Sequence, residues 1–305
     1  MLARLNFAQL LFPDFSLILC GYLICRYTPL GPAVWEQVES LVYFFLFPVL
    51  LFHSIVKSPL DLGATSSLIA AGLLMGVSGI AMAYALPWLP WLGKHIDARE
   101  HAGAAQVAFR FNSFVALAIA EKLAGAQGLL LIAVLIGFCV PLFNVAAVWP
   151  MARHGEAHLG RALLRNPLII ATVTGLAANL LGLKVPVWLD PTLSRIGAAS
   201  LALGLMSAGA GMQFSSLAQG KALAAGLLTI RHLLIPLVAF ALSLMFHLDA
   251  TQTAVLLAFS ALPTASSCYV LASRMGYHGA YVAGLVTLST VLGVASLTFA
   301  LGVLR

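Results

Sequence analysis

Apolar runs long enough to cross a bilayer follow one another along nearly the whole 305-residue chain, and this narrows the fold to a bundle of membrane helices. A helix needs about 17 to 25 predominantly apolar residues to span the hydrocarbon core. Ten segments meet that requirement: Phe7 to Cys25, Val38 to Val56, Leu68 to Leu89, Ala102 to Leu123, Leu129 to Trp149, Leu168 to Val187, Ile196 to Phe214, Ala222 to Phe246, Ala254 to Ala272 and Ala280 to Val303. Connections are short, and at 61% hydrophobic and 9% charged residues no soluble domain fits between the spans.

Two spans carry polar or helix-breaking residues where a plain spanning helix has Leu, Ile or Val. In the ninth, Pro263 lacks an N–H and crowds the carbonyl four residues back, so the helix opens in a medium without water. Thr264, Ala265, Ser266 and Ser267 follow, and their hydroxyl and backbone groups can satisfy freed partners or hold a polar solute. In the fourth, Arg110, Asn112 and Ser113 occupy the matching place between Phe109, Phe111 and Phe114. A guanidinium at mid-span costs about 3 kcal/mol on insertion scales, so Arg110 should face protein, water or an anionic ligand. The alternative is a vestibule orientation, since Arg110 lies about eight residues, roughly 12 Å, into its span.

Other in-span polar residues are candidates for the cavity or for ion coupling: Asp14, His53, Asn144, Gln213, Arg231 and His232. Each has a structural reading as a packed or interfacial residue. The four cysteines lie within spans and form no CxxC pair, so neither a disulfide framework nor a metal site is implied.

The formal charge of +6 reflects Lys and Arg in the loops, and no basic run points to nucleic acid. Odd-numbered loops hold eight of these residues, against six in the termini and even-numbered loops. The richest loop, within 151–166, belongs on the cytoplasmic side, which puts both termini outside the cytoplasm of a multi-pass inner-membrane protein. Five spans precede a 151–165 linker and five follow it, so residues 1–150 and 166–305 would have opposite orientations. Each polar break falls in the fourth span of its half, as inverted-topology repeats require. The expected fold is therefore all-α, with ten transmembrane helices in two inverted five-helix repeats.

The runs FRFNSFVALAIAEKLAG at 109–125, RNPLIIATVTGL at 165–176, ALPTASSCYVLASRMG at 261–276 and TLSTVLGVASLTFAL at 287–301 resemble the auxin efflux carrier family, part of the wider bile-acid and arsenite group of carriers. The resemblance implies a scaffold of spans one, two, six and seven and a mobile transport domain of the rest. It also implies broken fourth and ninth helices crossing beside the substrate, with Asn112 and Ser113 on one side and Pro263 and Thr264 on the other. Homodimers through the scaffold are usual in the plant relatives. The fourth span here lacks the proline many members carry at the break, and the long central loop of plant members is missing.

The expected function is secondary transport of a small organic anion by an elevator-like mechanism. Half-helix N-termini and Arg110 both favour a carboxylate, and a dicarboxylate such as malonate would use two cationic features. Coupling to H⁺, coupling to Na⁺ and uniport all stay open, as does a carrier of neutral or amino-acid solutes. A membrane enzyme is disfavoured, because HExxH, paired acidic prenyl-diphosphate and GxSxG motifs are missing and no cofactor motif is present. No filter-like repeat marks a channel. A transporter-derived sensor is the remaining alternative, though no signalling domain is attached.

Overall fold

The computed structural model describes residues 7–57, 66–154, 167–211, 220–265 and 267–304, and among them there are helices and connections but no strand. In chain order the α-helices are α1 Phe7–Tyr27, α2 Pro32–Leu41, α3 Phe47–Lys57, α4 Ser66–Ala85, α5 Ala98–Ala104, α6 Ser113–His154, α7 Pro167–Leu180, α8 Asp190–Ala210, α9 Lys221–Thr229, α10 Ile235–Met245, α11 Ala250–Ser260, α12 Ser267–Arg274 and α13 Gly279–Gly302. Five helical stretches among the described residues are long and apolar enough to cross a membrane: Pro32–Leu50, Ser66–Trp88, Val134–Ala152, Lys221–Met245 and Gly279–Gly302.

Local sequence explains the boundaries. Asp97 accepts the N–H groups of Arg99 and Glu100 at the start of α5, and Asp249 forms a capping box with Gln252 at the start of α11. Gly125 (φ 55°) breaks α6 into two helices, and Gly276 (φ 77°) follows the end of α12. The sixth span, expected to reach Val187, stops at Leu180. Gly182 (φ 69°) turns the chain, the Leu183 N–H returns to the Ala178 carbonyl at 2.9 Å, and Pro186 prevents continuation. The next helix accordingly begins earlier than expected, at Asp190.

Turns of π geometry, Val42–Leu46 and Ile230–Leu234, join α2 to α3 and α9 to α10. Each precedes a proline, Pro48 or Pro236, whose missing N–H upsets the ladder. The His232 carbonyl, four residues before Pro236, instead accepts the Ser296 hydroxyl at 3.1 Å.

Helix α1 packs on α8, and α3 on α7 and α8. A second set packs α4 on α6 and α10, α11 on α6, α10 and α13, and α12 on α13. Phenylalanines fill the centre, with the Phe111 and Phe259 rings 4.4 Å apart and Phe109 5.8 Å from Phe143.

Hydrogen bonds at the helix ends sort the connections into two faces. Tyr277 Oη donates to the Met151 carbonyl at 2.6 Å, Arg99 Nη2 to Gly276 at 3.1 Å, Tyr281 Oη to Gly220 at 2.8 Å and Arg274 Nη2 to Glu36 at 2.8 Å. At the far end of the α2–α3 rod, Asn179 Nδ2 donates to the Val56 carbonyl at 3.1 Å. There Asp190 also meets His53 Nε2 at 2.8 Å and Lys57 Nζ at 2.9 Å.

The hydrogen bonds from Lys57 and His53 hold the Asp190 carboxyl below its ordinary 3.8. A depressed carboxylate stabilises the fold above its unfolded pKa, and that contribution is lost as pH falls through the folded value. Asp190→Asn is therefore expected to remove part of the acid sensitivity below pH about 4, read as a flatter dependence of thermal midpoint on pH.

Candidate functional site

Helical geometry ends at Ala108 after a tight 3₁₀ turn and resumes at Ser113; it ends again at Ser260 and resumes at Ser267. No proline marks the first interruption. Asn112 serves instead, because its Oδ1 accepts the Val115 N–H at 3.2 Å and its carbonyl accepts the Ala116 N–H at 3.1 Å, starting α6 afresh. In the second interruption Pro263 has no N–H to give the preceding turn, and its carbonyl receives the Asn112 N–H at 2.9 Å. Two interrupted segments 151 positions apart thus touch backbone to backbone.

Hydroxyl groups cover what the breaks leave open. Thr264 donates its hydroxyl to the Val107 carbonyl at 2.7 Å, and its N–H to Ser289 Oγ at 2.9 Å. Ser289 donates its only hydroxyl hydrogen to Thr264 Oγ1 at 2.9 Å, so His232 Nε2, 2.9 Å away, must supply a hydrogen to Ser289. That fixes the Nε2–H tautomer for a neutral His232. Its Nδ1 is buried and has no hydrogen-bond partner.

Thr264→Val should unbalance this chain, leaving the Val107 carbonyl and the Ser289 hydroxyl short of one bond each. The expected loss is about 1–3 kcal/mol, seen as a lower thermal midpoint. Ser289→Ala should add less in that background than in the wild type, since both act on one network.

Two buried arginines flank the crossing. Arg110, 5% exposed, donates from Nη1 to Gln106 Oε1 at 2.9 Å and from Nη2 to Asn144 Oδ1 at 3.1 Å. Gln106 is itself oriented by donating to the carbonyls of Gly103 at 3.0 Å and Cys268 at 3.1 Å, so it bridges the two interrupted segments. Arg231, 2% exposed on the wide turn, donates from Nε to the Leu262 carbonyl at 2.7 Å, one residue before Pro263. Its Nη2 is buried without a partner. Neither guanidinium forms an ion pair among the described residues.

The structure therefore gathers Arg110, Asn112, Asn144, Pro263, Thr264, Arg231 and His232 at one place, with Ser113, Ala265 and Ser267 at the adjoining ends of the segments. Ser267 is buried, whereas Ser113 and Ala265 are half-buried. His53 does not join them, because it belongs to the Asp190 cluster at the helix ends. Ser266, Gln213 and the Asp14 side chain lie outside the described residues. Sequence reasoning missed Gln106 and Ser289, buried polar residues in otherwise apolar runs. Their position inside spans was the available signal. Among the described residues, no group of three His, Cys, Asp or Glu gathers to hold a metal.

The sequence profile of the family described as "Membrane transport protein" matches residues 95–301, a stretch that includes both interruptions. A Rhizobium meliloti (strain 1021) protein named "Putative malonate transporter" is 24% identical over 313 aligned residues, covering 97% of this chain and 95% of that one. The auxin efflux carrier resemblance read from the motifs agrees with the profile match. A multi-pass helical chain carrying that profile over two thirds of its length is a transporter, and it belongs to the membrane transport protein family that includes the auxin efflux carriers.

Proposed function

We propose that this protein is a secondary carrier of small organic anions, which bind where the interrupted segments cross. The observation that carries the reading is the pair of buried guanidiniums, Arg110 and Arg231, flanking that crossing with no carboxylate paired to either among the described residues. A buried charge without a counter-charge is strongly unfavourable, and an anionic substrate would supply what is missing. The half-helix starts at Ser113 and Ser267 add positive dipole ends to the same region. A dicarboxylate of malonate size suits two separate cations, and the name of the Rhizobium relative favours the same substrate.

The architecture in this reading is two inverted five-helix repeats, residues 1–150 and 166–305, joined by 151–165. The positive φ of both Gly125 and Gly276 supports it, as does the sorting of helix ends into two faces. Spans one, two, six and seven form the scaffold and spans three to five and eight to ten the moving unit, with elevator-like alternating access between them. The dense packing of α1 on α8 and of α3 on α7 and α8 favours this division. The carrier sits in the inner membrane with both termini outside the cytoplasm, and pairs through its scaffold as a homodimer.

The test is thermal stabilisation of the purified protein against a panel of mono- and dicarboxylates, aromatic acids and neutral amino acids. Carboxylates alone are expected to raise the midpoint. Stabilisation only by neutral or cationic solutes would overturn the substrate class.

A further inference from the structure

Among the described side chains, Glu39 is the only acidic one that is buried, at 7% exposure, and it lies outside the crossing. Its carboxylate joins two helices that the carrier reading assigns to different moving parts. Oε2 accepts the Tyr269 hydroxyl at 3.2 Å, and Oε1 lies 3.5 Å from Arg274 Nε. Arg274 also donates from Nη2 to the Glu36 carbonyl at 2.8 Å and to the Ser40 hydroxyl, and its guanidinium stands 5.9 Å from the centre of the Phe44 ring. Helix α12, which begins directly after the Pro263 interruption, is therefore fastened at both ends of its length to one turn of α2.

We propose that Glu39 is the proton-binding site through which anion movement is coupled to a pH gradient. This rests on the carrier reading and adds the coupling ion to it. A carboxylate pairs with Arg274 and keeps α12 on α2; a protonated Glu39 is neutral, loses the ion pair and frees the segment to move. Arg274 Nε, which is buried and makes no hydrogen bond, then loses the counter-charge 3.5 Å away, and only the neutral contacts to Glu36 and Ser40 are left to hold the segment. The proton has access from the face where Arg274 and Glu36 meet, since the Arg274 side chain is 19% exposed there.

The surrounding groups leave Glu39 as the switch. On its own helix, Glu36 is exposed one turn before it and Tyr43 is buried one turn after. Gly211, which caps the end of α8, stands against the Tyr269 hydroxyl, while Asp190 and Arg195 lie about 24 Å or more back along that helix. From α13, Gly279 packs on Tyr269, and the neighbouring His278 faces Glu100 at 3.8 Å. Arg274 is the sole cation in contact with the carboxylate among the described residues.

The experiment reconstitutes the full chain in liposomes with radiolabelled malonate as the probe. Exchange at equal pH on both sides is measured first, then accumulation with the malonate side made acidic by two pH units. The wild type is expected to accumulate malonate at least fivefold over the equilibrium level. Glu39→Gln should keep exchange within about twofold and fail to accumulate. Equal accumulation by Glu39→Gln, or a wild type that exchanges but ignores the gradient, would overturn the proposal.

If the wild type exchanges no malonate, the substrate reading is at fault, and the switch is judged without substrate. Spin labels at Gln37→Cys and His278→Cys, with Cys20 and Cys25 replaced by serine, report the distance between α2 and the turn after α12. The distance should lengthen between pH 8 and pH 5, and the Glu39→Gln protein should show the long distance at both. A distance that does not change with pH sinks the proposal.

Discussion

Arg110→Ala is expected to weaken malonate binding about a hundredfold and to abolish the substrate-induced rise in thermal midpoint. The Arg110 guanidinium donates to two neutral amide oxygens, Gln106 Oε1 and Asn144 Oδ1. Those contacts position it but leave its charge uncompensated. A carboxylate arriving beside it forms a charge-assisted bond in a dry site, and truncating one partner of such a bond costs about 2–5 kcal/mol. The lower half of that range, about 3 kcal/mol, is the hundredfold. Arg110→Lys separates charge from geometry, because lysine keeps the charge and loses the planar fork. Its affinity should fall by about tenfold, between the other two proteins. Isothermal titration of all three checks the order. Equal affinity in Arg110→Ala and wild type would remove Arg110 from the site.

The largest loss of stability is expected far from the crossing, at Gly21. A methyl group built there would stand 1.9 Å from the Met206 carbonyl oxygen and 2.6 Å from Met206 Cα, so α1 lies directly on the backbone of α8. Side chains can rotate away from an added group, but a helical backbone cannot. In a membrane such contact is also the main source of helix association, since lipid is as apolar as the helices themselves. Gly21→Val must push the helices apart, and overpacking of this kind costs about 3 kcal/mol, at the upper end of its usual range. The measurement is the thermal midpoint of purified protein in detergent. Gly31→Ala is the control, because nothing lies within 4 Å of a methyl group at Gly31, and it should leave the midpoint unchanged.

Much of the crossing could be read in the chain because a bilayer penalises every unpaired backbone group and every charge. Pro263 inside an apolar run forces an opening, and Arg110, Asn112 and Thr264 are each costly unless partnered or functional, so they declare themselves. Arg231 and His232 stand out for the same reason. Which of the in-span polar residues come together could not be read, since polarity marks a residue without giving it a neighbour. His53 and Asn144 look alike in sequence, yet one joins Asp190 at the helix ends and the other meets Arg110. Gln106 sits before the anomaly and does not stand out in the same way. Its role as a bridge depends on Cys268, 162 positions away.

Apolar length and the spacing of breaks were enough to determine an all-helical membrane chain and the two places where its helices open, because both follow from local hydrogen bonding and transfer from water to lipid. The tertiary structure alone decided that Asn112 bonds Pro263, that His232, Ser289 and Thr264 form one donor chain, and that Glu39 meets Arg274 across 235 positions. Those pairings depend on how whole helices cross, a property set by close contacts such as Gly21 on Met206 rather than by any short stretch of sequence.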